Sequence, residues 1–378
     1  MMKKTVTILI LMYTLISLSY TQIFTNTYHA EKKIPVLKTE RFMIFNPEQS
    51  WNYVHHPSIA YFKGCFYAIF SNGISGEDDP CQRVMITQST NLKSWSKPVV
   101  LQAPEKGDYG VKKVLTPGGI TQIDNKLVVF FTENDMDGKS YKRYNPMLYA
   151  VTSDNGKDWS EPVSLGISVF PCHRPSVLSS GRLLLTGNRA FYFTDNQTGL
   201  SGWQRSSTKD IPDTEGNIAF SQINPTLCEG AIIQHTNGLI YTLFRSTGKT
   251  FDGYLWQASS KDNGLNWTEP IHTNFTDGNS KSHFGILPDG RYYYVGTPDT
   301  LSVGERSPLV LSVSNDGIKF DRHFIVAKDY YEIKYKGKWK NGQFGYPYTI
   351  IQGEYLYIIV TRQKERLELY RIALSQLT

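Results

Sequence analysis

The sequence predicts an all-β protein folded as a single β-propeller of six or seven blades. Two observations lead to this prediction: a short turn motif recurs along the chain, and many short apolar runs show no helical period. The chain has 378 residues, 13% of them aromatic, with 24 tyrosines. Runs such as KLVVFFT, LIYTLFRS and YLYIIVTR are bounded by Gly, Asp, Asn and Pro, which is typical of strands.

The turn motif is clearest in SKDNGLNW, which ends at Trp267, and in TSDNGKDW, which ends at Trp159. Looser copies end at Trp95, Trp203 and Phe320, so the aromatic position returns at intervals of roughly 45 to 65 residues, as in a repeat architecture. In each copy Asp or Asn can bond nearby backbone N–H groups, and Gly can adopt a positive φ. We expect the ring to pack against the blade that the turn closes.

The spacing of these turns sets the expected blades. They are predicted at residues 51–100, 113–165, 170–209, 225–270, 281–325 and 345–376. The last segment is short, and a strand within residues 33–46 could complete it and close the ring around a central channel. No segment resembles an interdomain linker, so residues 22–378 are expected to form one domain.

The first residues, 1–21, have the form of a secretory signal peptide. Lys3 and Lys4 precede an apolar run of roughly 15 residues, which is short for a membrane span. No cysteine follows this run before Cys65, so lipoprotein processing is not indicated. The mature protein is therefore expected to be periplasmic or secreted, with no membrane span.

Composition limits the partners. The net charge of +6 suits an anionic ligand, and no Lys/Arg run indicates nucleic acid. We expect a monomer that requires no cofactor; His and Cys spacing matches no standard zinc motif, although a structural calcium or zinc ion stays open. The chain has no CxxC, and free, mostly buried thiols are favoured over disulfides at the four cysteines Cys65, Cys81, Cys172 and Cys228.

With the turn motifs, the spacing and the leader together, the chain resembles the sialidase superfamily. Longer stretches resemble a bacterial branch of ulvan lyases, rhamnose–glucuronate lyases and related rhamnosidases, whose propellers have seven blades. The stretches that carry this resemblance are HHPSIAYFKG (55–64), SNG (71–73), QR (82–83), CEG (228–230), RS (245–246), KSHF (281–284), LPDGR (287–291) and GYP (345–347). The resemblance implies an enzyme acting on rhamnose–uronic acid oligosaccharides such as those of ulvan.

The chain also departs from these relatives. It has no arginine in the FRIP context of sialidases, and Glu229 stands before Arg245 where the tyrosine of an ulvan lyase would be sought. A nucleophilic Tyr–Glu pair and an acid Asp of the sialidase kind are not identified from the sequence.

The residues support β-elimination on a uronic acid, which needs a partner for the carboxylate, a base at C5 and an acid for the group leaving C4. The candidate carboxylate partners are Arg245, Arg83, Arg174 and Lys281, with arginine preferred over lysine. The candidates for base or acid are His173, His283 and His56, and Tyr346 is a further one on condition that a neighbouring cation lowers its pKa. The further candidates for substrate binding are His56, Arg83, Arg174, Glu229 and Lys281.

Three classes of function follow. The leading one is an eliminase, either a lyase or an oligosaccharide dehydratase that expels water and leaves an unsaturated uronic acid at the non-reducing end. The second is a hydrolase: an α-L-rhamnosidase on rhamnose–glucuronate, or an exo-sialidase. The third is a non-catalytic carbohydrate-binding propeller, because a fold does not fix a function.

Overall fold

The computed structural model describes residues 22–104, 112–136, 143–208 and 226–377. Their regular structure is almost entirely β, and none of the helices among them is long and apolar enough to cross a membrane. The predicted signal peptide, residues 1–21, lies outside the described residues. All four cysteines are free, as predicted, and only Cys81 is exposed.

Six units of four antiparallel strands follow one another along the described chain, and we number them blades 1 to 6. Blade 1 contains Tyr53–Phe62, Cys65–Gly73, Arg83–Ser89 and Val99–Gln102. Blade 2 contains Lys112–Ile123, Lys126–Met136, Arg143–Ser153 and Val163–Ser164. Blade 3 contains Ser176–Val177, Leu183–Thr186, Phe191–Thr194 and Gln204–Arg205.

The second half of the chain repeats this pattern. Blade 4 contains Leu227–Gln234, Ile240–Ser246, Tyr254–Ser260 and Ile271–Thr276. Blade 5 contains His283–Ile286, Tyr292–Gly296, Leu309–Ser314 and Arg322–Ala327. Blade 6 contains Gly345–Gln352, Tyr355–Arg362 and Arg366–Ala373 from the end of the chain and Glu40–Phe45 from its beginning. The propeller is therefore confirmed, with blade limits close to those predicted.

Shorter elements join the blades. The remaining strands are Thr25–Asn26, Ser207–Thr208, Asn266–Trp267 and Lys319–Phe320, and three 3₁₀ turns are at Gly248–Thr250, Thr300–Ser302 and Leu374–Leu377. Thr25–Asn26 pairs in parallel with a strand of blade 4 and with Lys319–Phe320, and the adjacent Phe24 is fully buried. The N-terminal segment thus holds blades 4 and 5 together before its next strand closes the ring.

The recurring turn motif lies between the third and fourth strands of a blade. In the copy ending at Trp267, the amide of Gly264 donates to the Ser260 hydroxyl (3.0 Å) and the amide of Asn266 donates to the Asp262 carboxylate (2.9 Å). The Trp267 ring is buried and stacks on Phe191 of blade 3 at 3.8 Å. The ring packs on its own blade, as expected, in a cluster with Phe244 and Ala258, and through Phe191 it also joins that blade to blade 3.

The first strand of each blade lines the central channel, and four of these inner strands carry a β-bulge near their beginning. The bulges fall between His55 and Ser58, Pro117 and Gly119, Cys228 and Ala231, and Gly345 and Tyr348. Three non-glycine residues in them have a positive φ, namely His56 (51°), Glu229 (56°) and Tyr346 (53°). Since a bulge re-aims a side chain, these residues are the first place to look for a site.

Candidate functional site

The three bulge residues converge at one mouth of the channel, the end at which the inner strands begin. Arg245, at the end of the second strand of blade 4, donates from Nε to the Glu229 carboxylate and lies 3.5 Å from the Tyr346 hydroxyl through Nη2. The His56 and Tyr346 rings are 5.4 Å apart, and the Lys281 Nζ lies 5.2 Å from the Tyr346 ring. We call these five residues the mouth cluster; four of them come from blades 1, 4 and 6, and Lys281 from the segment that enters blade 5.

Glu229 is held as a carboxylate by its surroundings. Burial alone would raise its pKa, but the Arg245 guanidinium and then Lys281 outweigh that effect, so the pKa of Glu229 is lowered. The Tyr346 hydroxyl contributes to the same lowering as a hydrogen-bond partner of the carboxylate. Glu229 is therefore an ionised acceptor beside a phenol.

Tyr346 behaves differently from the sequence-based expectation. Burial, followed by the negative charge of Glu229, holds the pKa of Tyr346 well above its ordinary value, although Arg245 acts in the opposite direction. The condition that a cation lowers this pKa is not met. The phenol keeps its proton at neutral pH, and Tyr346 and Glu229 have Arg245 as a common neighbour.

Arg306 is a further member of this mouth that the sequence did not reveal. Its guanidinium carbon lies 5.8 Å from the Tyr346 ring, and the residue is 8% exposed. Within the described part of the chain, its Nε and Nη1 are buried without a hydrogen-bond partner. A buried donor without a partner is costly, so an anion arriving at the mouth would find these N–H groups unoccupied. In the sequence Arg306 is a lone arginine in a GERSP loop, which offers no pattern.

The blade 1 side of the mouth contains a second ion pair. Lys364 binds the Glu77 carboxylate, whose other oxygen lies 4.0 Å from the His56 Nε2. His56 Nδ1 is bonded to the Ser71 hydroxyl at 3.0 Å. Burial lowers the pKa of His56 to about 3, so the imidazole is neutral at physiological pH.

The same region could in principle hold a metal ion, because the potential ligand atoms of His55, His56 and Glu77 lie within 4.8 Å of one another. The surrounding charges argue against it. Lys364 already occupies Glu77, and Lys364, Arg306 and Lys281 all act on His55 as positive charges. This arrangement favours an anion over a divalent cation.

The other predicted residues lie elsewhere. His173, Arg174 and His283 line a cavity of about 710 Å³ in the channel, and none of His56, Glu229, Arg245 and Tyr346 lines it. The expectation that the two histidines act together with Arg245 and Tyr346 therefore has no support from this geometry, because the bulges direct one group to the mouth and leave the other inside the channel.

Arg83 belongs neither to the mouth cluster nor to the residues that line the cavity. Its Nε and Nη2 donate to the Asn72 side chain (3.0 and 2.9 Å), and its guanidinium lies 3.8 Å from the Trp51 ring centroid. Both interactions fix Arg83 at the end of blade 1, so its geometry indicates a packing role.

Comparison with known proteins agrees with this fold. The family described as "BNR repeat-like domain" matches residues 65–358. No curated protein matches the chain. Three solved structures are similar to it in fold: a sialidase (TM-score 0.65, 17% identity, 93% of this chain and 35% of that chain), the Trypanosoma rangeli sialidase in complex with sialic acid (0.64, 13%, 92% and 60%), and a Dyadobacter fermentans protein of unknown function (0.63, 15%, 90% and 100%).

These identities are too low to transfer an activity. The chain spans about a third of the first sialidase and about three fifths of the second, whereas it spans the whole length of the Dyadobacter protein. The specific resemblance to ulvan lyases that the sequence motifs indicated has no counterpart among these structures.

Proposed function

Since the chain belongs to the BNR repeat-like family and its sialidase-like propeller fits a glycan-processing enzyme or a glycan-binding protein, we propose that it is a glycosidase for a terminal acidic sugar. Tyr346 is the nucleophile and Glu229 its base. The observation that carries this assignment is the convergence of a protonated phenol and an ionised carboxylate on Arg245, whose Nε donates to Glu229 and whose Nη2 lies 3.5 Å from the Tyr346 hydroxyl.

A tyrosine can replace the usual carboxylate nucleophile when the substrate is itself anionic, as in sialidases. The phenol oxygen attacks the anomeric carbon while its proton passes to Glu229, and the glycosidic C–O bond breaks. Asp78 lies in the loop of Glu77, and burial raises its pKa although its partner Arg143 acts in the opposite direction, so it is our candidate for protonating the leaving oxygen. Water then attacks the anomeric carbon of the aryl glycoside and gives its proton to the Asp78 carboxylate, while the Tyr346 oxygen leaves and takes back its proton from Glu229.

The acidic sugar follows from the charges. Arg306 offers N–H groups without partners, and Lys281 also lies near the Tyr346 ring with no carboxylate within 4 Å among the described residues. A sugar carboxylate would satisfy these donors and would leave the anomeric carbon near Tyr346. A neutral sugar would leave Arg306 buried and unpaired, which is a specificity argument against it.

The mouth also favours a second candidate, β-elimination on a uronic acid in rhamnose–uronate oligosaccharides. Here the neutral His56 imidazole, which faces the Tyr346 ring, would take the C5 proton, and the Tyr346 hydroxyl would protonate the group leaving C4. The cations would stabilise the carboxylate as C5 becomes negative. The low pKa of His56 makes it a weak base, so hydrolysis is our first choice.

Two measurements test the proposal. The purified protein is incubated with ulvan-derived uronyl–rhamnose oligosaccharides and with sialylated oligosaccharides, followed by ultraviolet absorbance and mass spectrometry. Release of a sugar without an absorbance change is expected; a rise from a C4=C5 double bond would replace hydrolysis by elimination, and the masses would then show whether water or a sugar left. Binding without any product would point to a binding module.

The nucleophile is tested separately. A fluorinated glycosyl fluoride of the sugar that is released should label the wild-type protein at the peptide containing Tyr346, as shown by peptide mapping. The Tyr346→Phe variant should stay unlabelled. Labelling at another residue, or none with a substrate that is turned over, would contradict the assignment.

A further inference from the structure

The channel cavity contains polar groups that the proposed reaction does not use. It is lined by residues from the inner strands of all six blades, among them His173, Arg174, His283 and Tyr348. These four side chains form one cluster: the histidine rings are 4.9 Å apart, and Tyr348 lies 5.4 and 4.5 Å from them. We call it the channel cluster.

Arg174 is the only full positive charge in the channel cluster, and it has no carboxylate partner within 4 Å among the described residues. Its Nε donates to the Tyr348 hydroxyl and its Nη1 to the Thr121 hydroxyl at 2.7 Å. Its Nη2 makes no hydrogen bond to any residue that the structure describes. The Arg245 guanidinium, by contrast, has the Glu229 carboxylate. Arg174 is therefore held in a fixed orientation by neutral groups and lacks an anion.

The backbone is shaped to accommodate Arg174. Gly119, in the bulge of blade 2, has a φ of 127°, and a Cβ there would lie 2.6 Å from the backbone nitrogen of Arg174. Only glycine allows the two chains to approach so closely. The position of the arginine is thus fixed by two inner segments as well as by its side-chain bonds.

Each of the two histidines has one ring nitrogen bonded to the protein and one left for a ligand. His173 Nε2 lies 2.8 Å from the Ser282 carbonyl, so this nitrogen must donate and Nδ1 is left as an acceptor. His283 Nδ1 is bonded to the Thr349 hydroxyl at 2.7 Å, which leaves Nε2 to face the cavity. Burial, together with the positive charges of Lys281 and Arg174, holds the pKa of both rings low, that of His283 at about 3.

From this geometry we propose that the channel is a second binding site, for a sugar that carries an oxyanion, with Arg174 as its anchor. The oxyanion, a carboxylate or a sulfate, meets Arg174, and the hydroxyls of the sugar meet His173 and His283. A cavity of about 710 Å³ has room for a mono- or disaccharide. This inference does not depend on the chemistry at the mouth.

Occupation of the site is coupled to protons. The groups that act on the two histidines from the neighbouring segments are the cations Lys281 and Arg174 and the neutral Tyr348 and Thr349; the cavity lining also includes one carboxylate, that of Asp124. A bound anion reverses the sign of the local field and favours the imidazolium form, so the pKa of each ring rises on binding. By linkage, the anion binds more tightly at lower pH.

The test is calorimetric titration of the full protein with sodium glucuronate and, separately, with sodium sulfate, at about pH 7.5 and about pH 5.5. Arg174→Gln should weaken binding by about tenfold or more, since a charged hydrogen-bond donor is lost. Arg174→Lys should retain part of the affinity. Arg245→Gln, a matched change at the mouth, should leave this binding event in place. The salt whose binding is weakened by Arg174→Gln identifies carboxylate or sulfate as the group recognised in the channel.

A second variant covers the case in which Arg174→Gln does not fold. Ile286 lines the cavity and is 43% exposed, so Ile286→Trp would fill space at the edge of the cavity without touching Arg174. It too should weaken binding. The proposal is overturned if both variants that fold bind as the wild type does, if Arg245→Gln removes all binding, or if neither salt binds.

Discussion

Replacing Tyr346 by phenylalanine separates chemistry from structure at the mouth. The ring stays, and with it the contact to the His55 ring at 4.0 Å and the neighbouring Lys281 and Arg306. What is lost is one hydroxyl, which lies 3.5 Å from Arg245 and acts on the Glu229 carboxylate. A hydrogen bond of that length is at the limit of the usual range, so the free energy of unfolding should change by less than about 1 kcal/mol.

The effect on turnover should be far larger. Loss of a positioned proton-transfer group costs about 10²–10⁴-fold, and loss of a covalent nucleophile costs at least as much. Because the substrate carboxylate is bound by Arg306 and its neighbours rather than by the phenol, kcat should fall while KM changes little. The expected midpoint of thermal unfolding stays within about 2 °C of the wild type.

The matched control is Tyr357→Phe, a buried tyrosine on the second strand of blade 6 that lies in the core between blades 6 and 1. Both variants and the wild type are compared by steady-state kinetics on the substrate identified above, and by thermal unfolding. Tyr357→Phe should keep full turnover. If Tyr346→Phe turns over at more than about a tenth of the wild-type rate, the phenol is not the nucleophile and the proposed reaction is wrong.

Four other changes test the surrounding interactions. Glu229→Gln removes the carboxylate from a buried pair and should destabilise the protein by about 3–5 kcal/mol in urea unfolding, in addition to abolishing turnover; an unchanged stability would show that Arg245 does not depend on it. Arg306→Gln should raise KM at least about tenfold while leaving the unfolding midpoint equal or higher, since it removes buried N–H groups that lack partners; a lowered midpoint with unchanged KM would contradict this. Trp267→Ala should lower the free energy of unfolding by about 3–5 kcal/mol because it removes the contact between blades 3 and 4. A loss below about 1 kcal/mol would show that the ring does not hold the two blades together. The free energy of unfolding should fall as the pH drops below 6.5, because the pKa of His56 and that of His283 are about 3 in the folded protein and the unfolded chain binds protons on these rings first. The expected loss is about 1.4 kcal/mol per pH unit for each ring. Urea unfolding at a series of pH values would refute this if the free energy stayed constant down to about pH 4.

The scaffold could be predicted because its signals are local. Each turn motif is a few residues long, and its hydrogen bonds stay within it, as between Ser260 and Gly264. The strands are short and their limits are marked by turn residues. Even the closing strand Glu40–Phe45 could be anticipated, because the last blade lacked a fourth strand. What the sequence did not show is that Trp267 also packs on Phe191 of the neighbouring blade, because no local pattern indicates which other blade a ring will meet.

The site could be predicted only in part, because its members are brought together by bulges and by the ring closure. Glu229 and Arg245 lie on paired strands, opposite the bulge, and were both nominated. His173 and His283 also stand at or just before the beginning of inner strands and were nominated with them, yet they line the channel cavity. Arg306 stands alone in its loop, and only the closed ring brings it to Tyr346. No local sequence pattern indicates that Arg306 and Tyr346 are close in space.

One signal in the sequence does anticipate the mouth, and it concerns backbone strain. A proline or glycine directly follows each of the three left-handed residues: Pro57 after His56, Gly230 after Glu229 and Pro347 after Tyr346. Such residues inside a strand often mark a bulge. A non-glycine residue at positive φ is uncommon and costs on the order of 1 kcal/mol or more, so three of them on inner strands that meet at one mouth are not explained by folding alone. The strain is accounted for if the side chains must point into the channel mouth. This backbone strain, more than any motif, supports our proposal that the active site lies at the mouth.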